Sequence, residues 1–401
     1  MSDTGLRRPD IRQLGPEAEL LLACARLYLT HPMRDRILEL VRGPLDWTNL
    51  VALAERHGLR PLLHRHIESL APDAVPPPIF KLLWAWTERT RSRNRAMAKE
   101  LLRLLALLDA KGIPALPYKG PALAVSIYGD LALREFGDLD VLVRQEDMPG
   151  AIALLIEQGL EPAYALRPVD QAELIHSPLH YHLALIHPVS SLMVELHWMT
   201  DLDFPVEAMS QRCWWTRTPE LALEQGRVRA FTAPELLLIL CLHGSKHHWM
   251  SLGWLVDVAE LIRQHPDMRW ECVLQHARTH GCARRLALGL HLADLLLDAP
   301  VPSRVLQRIA NISAIHRLSG EVMRNLFDAQ STGKGRLAAL RLDLALYDAR
   351  RLRWRHLLRV IFAPSIKEWL WWRRYRGLQF LAYPARIIRL ACRSASAIFK
   401  P

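Results

Sequence analysis

The spacing of apolar residues changes twice along the chain and divides it into zones. Over residues 17–112 apolar positions recur three and four apart, which predicts helices, and Gly112 is placed to end the last of them. From Ile113 the apolar runs become short and partly alternating, which indicates strands. The helical period returns from Pro234 to about Arg350. Strands are therefore expected only between two helical regions.

The middle zone predicts a small mixed sheet. Its strand-like runs are ALPYK, DLDVLV, LHYHLALI, LMVELHW and VRAF. Between the second and third runs, Met148, Ile152 and Leu155 share one face of a helix, and Gly159 follows its end. Because strands interrupted by a helix are typical of mixed sheets, the expected fold class is α+β. A mixed-sheet core is flanked by an N-terminal helical region and a C-terminal helical domain.

The same pattern predicts the domain boundaries. We expect a helical region at 1–112, the sheet-containing core at 113–232, a helical domain at 233–349 and a basic, aromatic tail at 350–401. A chain of 401 residues is longer than a single core usually serves, which agrees with several packed units.

The net charge of +11 belongs to the tail. Residues 350–401 contain 13 Lys or Arg and one acid, Glu368, whereas the remaining residues carry 39 bases and 40 acids. The body therefore lacks the globally positive surface that is typical of nucleic-acid binding.

Arginines of the tail alternate with aromatic residues, a composition with three interpretations. The aromatic residues are Trp354, Trp369, Trp371, Trp372, Tyr375 and Tyr383. Basic and aromatic side chains both find partners at an anionic membrane surface. The same composition suits RNA, through phosphate contacts and stacking, or a helix pair that packs its tryptophans on the body.

A cytoplasmic location is expected. The six cysteines are scattered without the spacing of a zinc site or a disulfide framework, and no apolar stretch follows the first charged residues. No run of about 18 uncharged apolar residues is present, so no membrane span is expected. Attachment of the tail to the inner membrane is the alternative to a purely cytoplasmic location.

Acidic side chains stand in two of the strand runs. Strand alternation puts Asp138 and Asp140 on one face of DLDVLV, and it puts Glu195 opposite Val194 and Leu196 in LMVELHW. If these strands are neighbours, three carboxylates converge, and Mg²⁺ is the cation that suits carboxylate oxygens. Two such ions about 3.5–4 Å apart could steady the attacking and leaving oxygens of a phosphoryl displacement. A solvated acidic strand end is the alternative.

The segment before the acids has the features of a phosphate-binding turn. Gly120 opens a short helix, where backbone amides can face a phosphate, and Lys119 precedes it. Arg134 is close enough to the acids to contact a carboxylate or a phosphate. The alternatives are an exposed strand-end lysine for Lys119 and a structural ion pair with Asp138 for Arg134.

A later helix carries a polar face in the run HGSKHHW. His243 and His247 lie four positions apart, and Lys246 lies beside them, so that Lys246 or His247 could reach a substrate. A packed structural histidine is the alternative. No zinc is expected, because no glutamate follows His243 as in a zinc protease and no third ligand is apparent. Trp254 and Asp257 could orient this helix.

These segments resemble the nucleotidyltransferase superfamily of polymerase-beta-like folds, whose pattern is a glycine turn on a helix, Asp-x-Asp and a later acid. More narrowly, they are similar to a bacterial family of uncharacterised nucleotidyltransferases. The similar segments are ERHGLRPLLHRHI, KGPALAVSIYGDLALREFGDLDVLV, VELHW and LCLHGSKHHWMSLGWLVDVAEL. The resemblance covers most of residues 20–265.

The resemblance implies transfer of a nucleoside monophosphate from a nucleoside triphosphate, with ATP expected because it is abundant. The acceptor, a small molecule, a peptide or RNA, is not implied. Asp138 and Asp140 become ligands of two Mg²⁺ ions, Glu195 the third acid and catalytic partner, and Gly120 the phosphate-turn glycine. The chain departs from the pattern at Pro121, where the superfamily usually has Ser or Gly, because Pro121 has no N–H to offer a phosphate.

Three other functions remain compatible with the sequence. A non-catalytic nucleotide sensor would bind nucleotide without releasing pyrophosphate. A toxin-like enzyme would modify tRNA ends. A peripheral-membrane protein of envelope or exopolysaccharide assembly could hold either activity near lipid.

Overall fold

The computed structural model describes residues 14–204, 218–310, 312, 314–327, 336–373, 375, 384 and 386. Most of the predicted tail beyond Arg373, including Tyr383, lies outside the described residues. Among the helices that are described, none is both long enough and apolar enough to cross a membrane.

The N-terminal region is helical, as the periodicity predicts. Its helices are α1 (Pro16–Cys24), α2 (His31–Arg42), α3 (Trp47–Arg56), α4 (Arg60–Leu70) and the long α5 (Pro77–Ala110). Proline stands in the first turn of α1, α2, α4 and α5. Backbone N–H groups of a first turn have no partner within the helix, so proline costs no hydrogen bond there. Asp46 caps α3 by accepting from the Asn49 amide at 3.0 Å. Gly112 adopts a φ of +70° just beyond α5, which ends the helix at the predicted position.

The middle of the chain forms a mixed five-stranded sheet. Its strands are β1 (Ala115–Pro117), β2 (Asp138–Val143), β3 (Glu161–Pro162), β4 (His182–Ile186) and β5 (Met193–His197), in the order β1-β2-β5-β4-β3. Strands β2 and β5 are parallel, and the other neighbours are antiparallel. The expected α+β fold with a mixed sheet is therefore confirmed.

One strand prediction needs a correction. The run VRAF does not join the five-stranded sheet, because β7 (Gly226–Arg229) pairs with β6 (Glu220–Leu223) in a separate hairpin. The turn residues Glu224 and Gln225 join these two strands directly, so the backbone groups of β6 and β7 pair with each other.

Short helices connect the strands. They are α6 (Gly120–Leu123), which continues into a π-helical turn at 124–128, α7 (Met148–Glu157) and α8 (Pro168–His176). The predicted face of α7 is buried at Met148, Ile152 and Leu155, and Gly159 follows with a φ of +84°. Alternation on β2 buries Leu139, one of the side chains that pack on this helical layer.

Helices again dominate the C-terminal half. They are α9 (Ala233–Lys246), α10 (Leu252–Gln264), α11 (Trp270–Thr279), α12 (Ala283–Leu297), α13 (Ser303–Ala310), α14 (Ile315–Phe327), α15 (Arg336–Leu346), α16 (Arg350–Phe362) and α17 (Ile366–Arg373). A capping box begins α9, in which the Thr232 amide donates to Glu235 at 2.9 Å.

The two helical regions share one hydrophobic core. Leu20, Leu50 and Leu63 of the N-terminal helices belong to the same buried cluster as Leu237 and Leu288. Polar contacts also join the regions, because the His57 carbonyl accepts from the Gly253 amide at 3.1 Å. A second cluster lies between the sheet, α5 and α7. The sheet is therefore held against a helical body assembled from both halves of the chain.

Candidate functional site

Strand register brings two of the predicted acids together. Asp140 on β2 lies directly opposite Glu195 on the parallel neighbour β5. Alternation buries Leu139 and Val194 on one face of the sheet and turns the two acids to the other. The convergence expected from the sequence therefore holds for Asp140 and Glu195.

His197 joins this pair and completes a three-residue cluster. Its Nε2 lies 3.2 Å from Asp140 Oδ1 and 3.1 Å from Glu195 Oε2. One possible ligand atom from each residue lies within 4.8 Å of the other two, and among the described residues this is the one such group of His, Cys, Asp and Glu. The geometry thus provides two carboxylates and an imidazole, a donor set that divalent cations accept.

Lys119 neutralises part of the acidic charge. Its Nζ lies 3.1 Å from Asp140 Oδ1, and its side chain is only 16% exposed, so it is not an exposed strand-end lysine. Burial alone would raise the pKa of Asp140, but Lys119 and the hydrogen bond from His197 hold that pKa well below its usual range. Asp140 therefore stays ionised inside the protein.

Asp140 keeps one oxygen for a further partner. Its side chain is 1% exposed, and Oδ2 has no hydrogen-bond partner in the part of the chain that the structure describes. A buried, ionised oxygen without a partner is costly. The atom therefore points to a cation or donor that completes the site.

Asp138 lies at the edge of the cluster. It is half-buried, lines a cavity and is not among the three clustered residues. Burial and the charge of Asp140 raise the pKa of Asp138 to about 6. Its predicted role as a metal ligand stays a prediction.

Gly120 is required by the close approach of two segments. It opens α6 with a φ of +55°, and a Cβ built there would lie 3.0 Å from the Asp138 carbonyl oxygen. Glycine therefore lets the turn after Lys119 pack directly against the start of β2. The same loop is anchored on α5 by Asn94, whose amide donates to the Leu131 and Arg134 carbonyls at 2.7 and 2.8 Å.

Arg134 makes an ion pair, but its partner is not Asp138. Its Nε lies 3.0 Å from Asp257 Oδ1 and its Nη2 lies 3.0 Å from Asp257 Oδ2; the Asp257 side chain is buried and that of Arg134 is 12% exposed. Tyr128 donates to Asp257 Oδ1 at 2.7 Å. The pairing is bidentate and joins the loop before β2 to α10, so Asp257 anchors this loop.

The polar face of α9 forms the opposite wall of the site. Lys246 Nζ contacts the Tyr181 hydroxyl and lies 4.6 Å from the centre of its ring. His243 and His247 each contact the Trp254 ring, with ring centres 5.3 Å apart in both cases. Burial lowers the pKa of Lys246, and it lowers the pKa of His247 to about 4. At neutral pH the wall therefore presents a neutral imidazole beside an amine.

A cavity of about 210 Å³ lies between the sheet and α9. Most of the predicted site residues line it together. They are Lys119, Asp138, Glu195, Lys246 and His247. Gly120 adjoins Lys119, whereas Arg134 is held by Asp257 and is not part of the cavity lining.

The sequence alone assigns no role to several polar side chains of the site. Alternation in LMVELHW puts His197 on the same face as Glu195, but no motif marks His197, Tyr181 or His182. His182 lies opposite His197 in the β4–β5 register, and their rings stack with centres 5.0 Å apart. Alternation in LHYHLALI is the signal that places His182 on the polar face.

Comparisons with known proteins assign the chain to a family. The site consists of a carboxylate and histidine cluster, a half-buried lysine and a cavity between a mixed sheet and a polar helix. The model of the uncharacterised nucleotidyltransferase family matches residues 43–298, and the protein belongs to that family.

Solved structures and curated proteins add little to this assignment. An antigenic nucleotidyltransferase-like protein from Paracoccidioides brasiliensis is 13% identical, with a TM-score of 0.30, over 58% of this chain and 93% of the other. No curated protein matches the chain.

Proposed function

We propose that the protein transfers a nucleoside monophosphate from a nucleoside triphosphate, with ATP as donor, to an acceptor hydroxyl or amine. The observation that carries the proposal is the pairing of Asp140 with Glu195 across β2 and β5, with Asp140 Oδ2 left for a further partner. Family membership supports the reaction class. The acceptor remains open among a small molecule, a peptide and RNA.

The residues present fit a divalent cation. Asp140 and Glu195 offer oxygens, His197 offers a nitrogen, and the unpartnered buried Oδ2 of Asp140 would gain a ligand. When bound, one or two Mg²⁺ ions would supply positive charge to the triphosphate and the leaving pyrophosphate. We propose Asp138, Asp140 and Glu195 as the Mg²⁺ ligands, because Mg²⁺ prefers oxygen, and His197 as the partner that positions Asp140 and Glu195.

The basic residues around the cavity would bind the triphosphate. Lys119 stands at the start of α6 and Lys246 at the end of α9, so the two amines approach the cavity from opposite walls. Their charge would attract a triphosphate that enters between the sheet and α9. The Gly120 turn places Lys119 beside Asp140 and so keeps the cation site and the phosphate site adjacent.

The aromatic residues of α9 and α10 would orient the nucleoside. His247 is neutral at physiological pH, lines the cavity and packs on Trp254. A neutral imidazole can hydrogen-bond a base or ribose without adding charge. Arg134 acts indirectly in this proposal, because its pairing with Asp257 fixes α10 to the loop that precedes β2.

The experiment follows label from nucleoside triphosphates that carry radioactive α-phosphate. Protein and Mg²⁺ are incubated with small-molecule, RNA and protein fractions of a cell extract, and both pyrophosphate release and label transfer are measured. Asp140→Asn should reduce both by about 10²-fold or more, because a charged group that acts in the transition state is removed. Glu195→Gln should lower turnover more than nucleotide affinity, and Lys119→Ala should chiefly weaken affinity.

Glu146→Gln is the matched control. Glu146 is exposed in the turn after β2, at the end of the strand away from Asp138, so its loss should leave the rate unchanged. Circular dichroism checks that each variant folds. Wild-type turnover in Asp140→Asn would contradict the proposal. Tight nucleotide binding without pyrophosphate release in any fraction would instead identify a nucleotide sensor.

A further inference from the structure

Helix α16 is attached to the body through its arginines. Arg359 places Nη1 2.9 Å from Asp203 Oδ1 and Nη2 2.6 Å from Oδ2, and Arg355 Nη2 lies 3.0 Å from the same Oδ1. Asp203 is buried, and Tyr347 also donates to it. The His356 ring lies 2.9 Å from the Tyr347 hydroxyl through Nδ1. These contacts therefore hold α16 against the body.

The outer face of α16 is apolar and exposed. Trp354, Leu358 and Phe362 are 64%, 52% and 41% exposed. Their spacing of four residues aligns them along one side of a 13-residue helix. Arg351, also exposed, stands one turn before Trp354 on the same side. We call Trp354, Leu358 and Phe362 the outer face of α16.

We infer that the outer face of α16 inserts into the headgroup region of an anionic membrane. The helix carries five arginines and no acid, and residues 350–401 as a whole carry 13 bases and one acid. Anionic lipid satisfies both features, because the apolar side chains enter the acyl boundary while exposed Arg351 remains among the phosphates. This inference goes beyond the proposed function and does not depend on it.

Other occupants fit this surface less well. RNA phosphates would pair with the arginines and a base could stack on Trp354, but Leu358 at the centre of the face offers neither an aromatic ring nor a hydrogen bond. A second copy of the chain would bring two arginine-rich helices together, and like charges oppose that pairing. Contact with the body is already provided by Arg355, Arg359 and His356.

The test uses the full-length protein and sedimentation with lipid vesicles. Wild type should bind vesicles of phosphatidylcholine with phosphatidylglycerol, bind phosphatidylcholine alone weakly, and dissociate as salt is raised. A variant with Trp354→Ser, Leu358→Ser and Phe362→Ser should bind the anionic vesicles at least about tenfold more weakly, because the apolar contribution is lost. Arg355 and Arg359 are left unchanged, so the attachment of α16 is preserved.

A variant with Tyr28→Ser and Trp84→Ser is the matched control. These side chains are 79% and 49% exposed and lie on the N-terminal helical region, so their loss should leave vesicle binding unchanged. Equal binding by both variants, or no binding by wild type, would overturn the inference. So would loss of RNA retention or of self-association in the triple variant while vesicle binding is unchanged.

A fluorescence measurement tests the inference even if the triple variant does not fold. The chain has 13 tryptophans, so the emission of Trp354 is isolated as the difference between wild type and Trp354→Phe. That difference spectrum should shift to the blue when anionic vesicles are added, since an exposed indole enters a less polar region. An unshifted difference spectrum at saturating lipid would contradict the inference.

Discussion

Replacing Gly120 tests how tightly the turn between Lys119 and α6 packs against β2. At a φ of +55° an L side chain in the left-handed region costs about 1–2 kcal/mol, and alanine recovers about 0.4–1 kcal/mol by restricting the unfolded chain. In addition, the new Cβ would lie 3.0 Å from the Asp138 carbonyl oxygen. That oxygen belongs to the backbone and cannot rotate away, so the start of β2 must shift.

The contact should cost more than the backbone conformation. Overpacking of a close contact costs about 1–3 kcal/mol, so Gly120→Ala should lower the free energy of unfolding by about 2–4 kcal/mol in total. Gly112→Ala is the control, because Gly112 has a φ of +70° but no atom within 4 Å of its added Cβ. Gly112→Ala should lower the free energy of unfolding by about 1 kcal/mol or less.

Urea unfolding, followed by circular dichroism, measures both variants. The midpoint of Gly120→Ala should fall well below that of Gly112→Ala while the slope of free energy against urea stays the same. Equal midpoints for Gly120→Ala and Gly112→Ala would contradict the close contact between the turn and β2. Because the measurement concerns stability alone, the result does not depend on the proposed reaction.

Two further predictions concern buried charge. Asp257→Asn should lower the free energy of unfolding by about 3–5 kcal/mol, because Arg134 is left without its carboxylate partner inside the protein. Glu220→Gln, which breaks an exposed ion pair with Arg227, should lower it by less than about 1 kcal/mol. Equal losses in urea titrations would refute the difference between the two ion pairs. Burial lowers the pKa of His57 to about 4 from the ordinary 6.5, so the neutral ring contributes stability above pH 6.5 that is lost as pH falls towards 4. Unfolding titrations should show a loss of stability across this window to which His57 contributes about 3 kcal/mol. Burial also lowers the pKa of His182, His247 and His291 to about 4, so His57→Asn should reduce the total loss by about that amount without abolishing it; an unchanged slope in His57→Asn would exclude His57 as a source.

Local sequence determined the elements and the faces of the site. Alternation in DLDVLV places Asp140 opposite Leu139, and the helical period predicts α7 with its buried face. These predictions succeed because the position of a side chain on a strand or helix depends only on its neighbours along the chain. The family resemblance added the reaction class, because it is carried by motifs of residues that are close together in the sequence, between residues 20 and 265.

Tertiary structure decided which residues meet. Asp140 and Glu195 become partners only because β5 lies beside β2, and Arg134 finds Asp257 across 123 positions of the chain. The roles of His197 and of the α16 arginines likewise depend on distant segments. Periodicity reports which face of an element is apolar, but the identity of the opposing element depends on the packing of the whole core. In α16 this limit is plain, because buried Asp203 holds Arg359 against the body and leaves Trp354 outside.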